Sequence, residues 1–348
     1  MKVNINDPMA RSVTGSDSEW RDACEAAGSS IQSLSQFRRW PVFVFHVEGT
    51  PRIGGELLAQ RLLRNPMFTK SLPTISKTEE FGSPLNLISI PFESKTFKLS
   101  PTTLRYSNNC LNAIALFGLQ IFQNQIIEIG GGYGGECKVF NDISRSITKE
   151  DKDLNWTVYD LPSSTALIRK WVEFSSYKVQ FGSIYAEPKK ISHDSMIISN
   201  GAISEMRDEL LEDYFTNLIL PAKYGYFITN FETHSSPYGG WTTEMFLNRL
   251  IAAGKKDAKV LPSHKYLSFT DSGNSTLVVF GMDDQRPPKN RLGDPIRYKA
   301  ISSSQQMTSR LEKWIIKAAF LDSSLGVLLE FLERILLRDK YRKLYKRK

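Results

Sequence analysis

The stretch Ile126-Ile127-Glu128-Ile129-Gly130-Gly131-Gly132-Tyr133-Gly134-Gly135 has residue types whose spacing could do chemistry. An apolar run reads as a short buried strand and empties into a glycine turn that opens a helix. Glycine admits positive φ and lets a ligand come close to the backbone. The N–H groups of the helix that follows can receive an anionic group. A triphosphate loop would need Gly-Lys-Ser/Thr after the turn, and Gly135-Glu136-Cys137 stands there instead, so that reading fails. A nicotinamide site would place its acid about 20 residues on, and Asp160 comes later than that. Two carboxylates bracket the turn. Glu128 lies two residues before Gly130, and Asp160 ends the next expected strand, where a carboxylate can accept from two ribose hydroxyls. Each has an ordinary structural reading as well: Glu128 as a solvated strand end, Asp160 as a helix N-cap.

The elements that must hold these groups follow from periodicity. Residues 1–40 are polar and turn-rich, with one short helix expected over Glu19–Ala27. Trp40–Val47 (WPVFVFHV), β-branched and aromatic, predicts a strand. Gly55–Arg64 has helical spacing, and 71–95 reads as an irregular connection. Ser100-Pro101 starts a helix, with Ser as N-cap and Pro at the first helical position, running to Gly118. Strands are then expected over Gln125–Ile129, Trp156–Leu161, Tyr177–Phe181, Asp194–Ser199, Tyr224–Phe231, Ala258–Leu261 and Thr276–Phe280. Helices are expected between them: from the glycine turn to about Ile147, then Ser163–Phe174 capped by Ser163 or Ser164, Glu205–Leu220 and Thr242–Ala253. Such repeated units predict an α/β fold with a doubly wound, mostly parallel, seven-stranded sheet. The last two strands have no helix between them, so one edge strand is expected to be antiparallel. The expected organisation is an N-terminal extension (1–95), a central domain (96–284), and a linker with C-terminal helices and a basic tail (285–348).

Glu128-Ile129-Gly130-Gly131-Gly132-Tyr133-Gly134-Gly135 resembles the EIGGGYGG signature of the sugar O-methyltransferases, a family of class I S-adenosylmethionine (SAM)-dependent methyltransferases. Four further segments resemble that family in the same order. They are Phe81-Gly82-Ser83-Pro84, Leu104-Arg105-Tyr106, Tyr159-Asp160-Leu161-Pro162 and Ser199-Asn200-Gly201-Ala202-Ile203-Ser204-Glu205-Met206, and together they cover about residues 80–235. The sequence departs from the family at Ser83, which stands for Asn, and at Gly201, which stands where an aromatic residue is frequent. Tyr159-Asp160-Leu161-Pro162 also resembles the small-molecule O-methyltransferases of plants, whose catalytic His after the fourth strand has no counterpart here. The resemblance implies a Rossmann-like methyltransferase fold, SAM as methyl donor and a sugar hydroxyl as acceptor, free, nucleotide-linked or at a glycan end. A phenol or polyketide acceptor and an inactive binding module of the same fold are the alternatives.

Methyl transfer to a hydroxyl needs the oxygen aligned behind the methyl group and a base for its proton. Ligands of an open parallel sheet sit beyond the carboxyl ends of its strands. That rule selects Ser199, Asn200, Ser204 and Glu205 after the fourth strand, Asn230, Glu232 and His234 after the fifth, and His264 after the sixth. His193 precedes a strand and is at the wrong end. His234, which titrates near neutrality, is the first choice of base and Glu205 the second; a solvated loop histidine and a first-turn carboxylate are the plainer readings. The expected cofactor contacts are Glu128, Gly130, Gly132, Tyr133, Gly134, Asp160, Leu161, Ser183, Asn200 and Arg105, the last as partner of the methionine carboxylate unless it serves a surface ion pair. The expected substrate contacts are Ser204, Asn230, Tyr238 and Trp241; aromatic rings stack on sugars but more often pack under loops. No dense His and carboxylate cluster appears, which favours transfer without a metal.

Composition bounds the rest. The chain has 348 residues, 41% hydrophobic and 24% charged, enough apolar matter for a large core. Three cysteines without a C-x-x-C pair exclude a disulfide framework and a structural zinc site. No secretory leader or spanning segment is read, so a cytoplasmic protein is expected. The net charge of +8 invites a nucleic-acid reading. Yet Arg334–Lys348 holds eight cationic side chains against Asp339 alone, so seven of those charges belong to one terminal segment. The body is nearly neutral, and no nucleic-acid partner is expected. Leucines at helical spacing over 325–336 ahead of that tail fit a helix packed on the body, or peripheral attachment to the anionic inner membrane surface through 325–348. The sequence carries no reading of the oligomeric state.

Overall fold

The computed structural model describes residues 17–175, 178–181, 191–231, 240–262 and 275–282. The chain opens with helices α1 (Asp17–Ala27), α2 (Ile31–Leu34), α3 (Pro41–His46), α4 (Arg52–Leu62) and α5 (Pro66–Ile75). The expected strand over 40–47 is therefore a helix. Pro41 sits at its first turn, where a missing N–H costs nothing, and Phe43 alone is buried among its six residues. Helical burial at one position, not the alternation of a pleat, decided the element. The stretch 71–95 is also more regular than expected. It finishes α5, passes through a 3-10 turn at Ser76–Glu80, and enters a hairpin of β1 (Ile88–Phe92) and β2 (Lys95–Leu99). Pro91 within β1 and Glu93 at φ 51 in the two-residue turn masked the strand pattern.

Helix α6 (Pro101–Phe117) begins as expected, the Ser100 hydroxyl accepting from the Thr103 N–H. Strand β3 (Ile126–Ile129), helix α7 (Gly135–Thr148), strand β4 (Trp156–Tyr159), helix α8 (Pro162–Ser175) and the short strand β5 (Gln180–Phe181) follow. After β6 (Met196–Asn200) the expected continuous helix over 205–220 is broken into three. A 3-10 turn at Ala202–Glu205 precedes α9 (Asp208–Tyr214), which runs into a π turn at Phe215–Ile219. Met206 is extended between the first two pieces. Strand β7 (Tyr224–Thr229), helix α10 (Thr243–Ala252) with Thr242 as N-cap, β8 (Lys259–Leu261) and β9 (Thr276–Phe280) complete the described chain.

The seven strands form one sheet in the order β5-β4-β3-β6-β7-β9-β8. Strands β3 to β7 run parallel, as the sequence implied. The antiparallel strand, however, is β9, which lies between β7 and β8 rather than at the edge. The expected α/β fold with a doubly wound, mostly parallel, seven-stranded sheet is thus the one observed.

Side chains alternate across the sheet. Ile127, Ile129, Ile197, Phe227 and Val278 face a cluster closed by α9, the π turn and α10. Ile126, Val158, Ile198, Tyr226 and Val279 face the other cluster, which also holds Phe37, Phe43, Leu58, Phe68 and Leu72 of the N-terminal helices. The described helices before residue 76 supply one side of this cluster.

Candidate active site

Strand order reverses between β3 and β6, since β4 and β5 lie to one side and β7 to the other. A crevice at such a switch point is where open α/β sheets hold ligands. Four strand ends meet there: the glycine turn after β3, Asp160 after β4, Asn200-Gly201 after β6 and Asn230 after β7.

The turn is tied from both sides. The Gly130 N–H donates to the Tyr159 carbonyl at 2.9 Å, and the Gly134 N–H to the Gly131 carbonyl at 2.8 Å. Packing accounts for some of its glycines: a Cβ on Gly130 would lie 2.1 Å from that of Ala202. Gly132 differs, because its φ of +58 favours glycine while an added Cβ would make only ordinary contact, 3.6 Å from Val47. Gly201 has φ +91 and nothing within 4 Å of such a Cβ. These two positions leave the backbone open on the crevice, so the missing aromatic at 201 is open space rather than a repacked core.

Asp160 is not the N-cap of α8. Its carboxylate accepts from the Gly132 N–H at 3.0 Å and from its neighbour Leu161 at 2.6 Å. Burial pushes its pKa from 3.8 to about 6, against these backbone N–H groups and the Ser164 hydroxyl, which hold it down. Ser164 is occupied in turn by Trp20, whose indole N–H donates to its hydroxyl at 2.8 Å. Glu128 is not a solvated strand end either: it is 2% exposed and accepts from the Trp156 indole at 2.8 Å. Burial, reinforced by the neighbouring Glu136 carboxylate, drives its pKa well above the usual range, and the indole opposes this. A third acid therefore belongs to the site. Glu136, in the first turn of α7, accepts from Asn109 of α6 at 2.8 Å and from Asn200 at 3.4 Å. The sequence did carry a signal for it: Asn108, Asn109 and Asn112 are poor helix formers in a helix interior, and all three are buried.

The remaining expected contacts divide. Ser204 is buried and its hydroxyl accepts from the Asn230 N–H at 2.9 Å, so two expected substrate contacts are neighbours. The Asn230 Oδ1 is covered and has no hydrogen-bond partner among the described residues. Glu205 ends the 3-10 turn beside Ser204, half-buried. Arg105, also half-buried, donates to the Val47 carbonyl at 3.1 Å and lies over the Tyr106 ring at 5.4 Å. Tyr133 contributes only backbone to the crevice, because its fully buried ring packs on Phe37 and Trp171. Trp241, 4% exposed, packs on Phe215 and Phe246 with the Arg249 guanidinium 4.1 Å above it, which is the packing role. Ser183, Glu232, His234, Tyr238 and His264 lie outside the described residues, as do the linker and C-terminal segment from 283 onward. No group of three metal-ligating side chains occurs among the described residues, and no helix among them is long and apolar enough to cross a membrane.

Against other proteins, no family model matches the chain, and no curated protein matches it. Solved structures show a limited likeness to the chain. It is similar to an O-methyltransferase family protein from Burkholderia thailandensis, at 13% identity over 51% of this chain and 56% of that one, with a TM-score of 0.35. It is also similar to the mitomycin 7-O-methyltransferase MmcR, at 12% identity, 53% and 56% coverage and a TM-score of 0.36. A third is an O-methyltransferase of neocarzinostatin biosynthesis, solved with S-adenosyl-L-homocysteine and 1,4-dihydroxy-2-naphthoic acid, at 14% identity, 49% and 52% coverage and a TM-score of 0.34. The chain spans a little over half the length of the first of these structures. The chain's own sheet places its crevice at the carboxyl ends of β3 and β6.

Proposed function

We propose that the chain is a SAM-dependent O-methyltransferase whose acceptor is a hydroxyl of a sugar, free, nucleotide-linked or at a glycan end. The observation that carries the reading is the Asp160 carboxylate, beyond the end of β4, bonded to the Gly132 N–H in the turn after β3, beside an open positive-φ backbone. A carboxylate there suits a vicinal diol such as a ribose, and the buried acids Glu128 and Glu136 behind the turn suit a cationic ligand. When bound, SAM would supply an electrophilic sulfonium methyl group for the acceptor hydroxyl. The chain's part is to hold the donor through Glu128, Gly130, Gly132, the Tyr133 and Gly134 backbone, Asp160, Leu161, Ser183 and Asn200, with Arg105 toward the methionine carboxylate. Ser204 and Asn230, with Tyr238 from the following segment, would orient the acceptor, and His234 or Glu205 would take its proton.

The polar groups gathered at the ends of β6 and β7, half-buried Asn200 and Asn230 with the Ser204 hydroxyl bonded to the Asn230 N–H, support a polyhydroxylated acceptor over an apolar aromatic one. The resemblance to sugar O-methyltransferases supports the same acceptor, and the reading keeps the protein in the cytoplasm, with 325–348 either packed on the body or in peripheral contact with the membrane. Calorimetry with SAM tests the donor, and absence of binding at high micromolar SAM refutes the reading. Mass spectrometry of sugars, nucleotide sugars and phenols incubated with protein and SAM tests the acceptor. A gain of one methyl on a phenol and on no sugar would move the assignment to the aromatic class.

A further inference from the structure

The mechanism above leaves unused a buried ionic cluster that ends on the glycine turn. Arg38, from the 3-10 turn at Phe37–Arg39, is 0% exposed. Its guanidinium donates to Glu48 at 2.5 Å, to Glu79 at 2.9 Å and to the Ser100 hydroxyl at 2.8 Å. Glu48 accepts a further hydrogen bond, at 2.7 Å, from the hydroxyl of Tyr133. The guanidinium also stands 5.3 Å from the Tyr133 ring centroid. Residues 47 and 48 thus lie as a strap over the turn: Val47 borders Gly132, its carbonyl accepts from Arg105, and Glu48 grips Tyr133.

Burying an arginine with two carboxylates gains little for stability, since apolar groups of similar size do as well or better. What such a cluster does supply is a fixed geometry. Tyr133 sits between Gly132 at φ +58 and Gly134 at φ +90, so its side chain is the handle that orients the peptide planes on either side. The Tyr133 hydroxyl stays a donor because burial drives its pKa well up. Arg38 stays charged, because the two glutamates outweigh its own desolvation.

We infer that Glu48, held by Arg38, is a positioning residue for the donor site, and that it sets the glycine turn through the Tyr133 hydroxyl. The N-terminal segment is then a working part of that site, and an inference of this kind rests on the reading of the turn as the SAM site. Tyr133→Phe removes the hydroxyl and keeps the ring against Phe37 and Trp171, so the fold has no cavity to collapse into. Glu48→Gln keeps the shape and removes the charge. Calorimetry on the full chain should show Kd for SAM raised about tenfold in Tyr133→Phe, the 1.4 kcal/mol scale of one hydrogen bond. Glu48→Gln should raise it at least as much. In Glu48→Gln the loss should fall on the Kd and KM for SAM rather than on the acceptor KM, a split that general loosening of the fold would not produce. A Tyr133→Phe Kd equal to that of the parent, with a lowered urea midpoint or a lowered kcat, makes the cluster a staple of the fold and overturns the inference. A parent protein that binds no SAM overturns the donor reading itself, and the two failures are told apart by the parent alone.

Discussion

Asp160 is expected to make the ligand-free protein less stable as pH rises, and to make it a better binder over the same interval. Its folded pKa of about 6 stands above the ordinary 3.8. The group's contribution to stability is therefore fully present below pH 3.8 and is lost as pH rises through 6. Between pH 5 and 7.5 the unfolded carboxylate is ionised throughout, while the folded one goes from about one-tenth ionised to fully ionised. Linkage converts that difference of about one proton-unit into ~1.4 kcal/mol, an upper figure because part of the carboxylate faces the open crevice. Asp160→Asn is the reference, since the amide does not titrate. Urea unfolding of both proteins at pH 5 and pH 7.5 should show the parent losing about 1 to 1.4 kcal/mol relative to the variant. SAM affinity should move the other way. With about a tenth of the carboxylate ionised at pH 5, apparent Kd should rise about tenfold over its value at pH 7.5. Parallel stability curves would refute the burial argument, and a Kd flat across the interval would refute Asp160 as the diol acceptor.

Gly130→Ala should cost about 2–5 kcal/mol in urea unfolding, combining the left-handed φ of +80 with a 2.1 Å approach to the Ala202 Cβ. The double variant Gly130→Ala/Ala202→Gly should recover the steric part, leaving about 1–2 kcal/mol, and a strictly additive pair would refute the contact. Trp241→Ala should lower stability by about 3–5 kcal/mol, as for a core aromatic, with acceptor KM changed little in whatever protein remains folded. A large KM effect at unchanged stability would restore its role as a stacking platform.

The sheet was legible because its strands are buried on both faces and read as apolar runs punctuated by glycine or polar residues, as in Gln125–Ile129 and Tyr224–Phe231. The motif acids were legible because Glu128 and Asp160 flank the turn at fixed offsets. Residues 40–47 misled, because an aromatic and β-branched run has strand propensity that a proline at the first turn and a single buried Phe43 override. The antiparallel strand was foreseen but its place was not. Sequence order alone does not place β9 between β7 and β8. Glu136, Trp156 and Glu48 escaped because each acts through a partner far along the chain: Asn200, Glu128 and Tyr133. No local pattern marks such a pair.

The packing of the N-terminal helices has a consequence for the order in which the chain is made. Helix α5 lies on α7, α4 on α6 and α1 on α8, so the last of their partners is complete at Ser175. At ~5–20 residues per second, synthesis of the roughly 100 residues between the end of α5 and the end of α8 takes about 5–20 s. During that interval the apolar faces of these helices lack part of their cover, and contacts of such long sequence separation also form slowly. The nascent chain thus offers chaperones a defined target, the helices before residue 76.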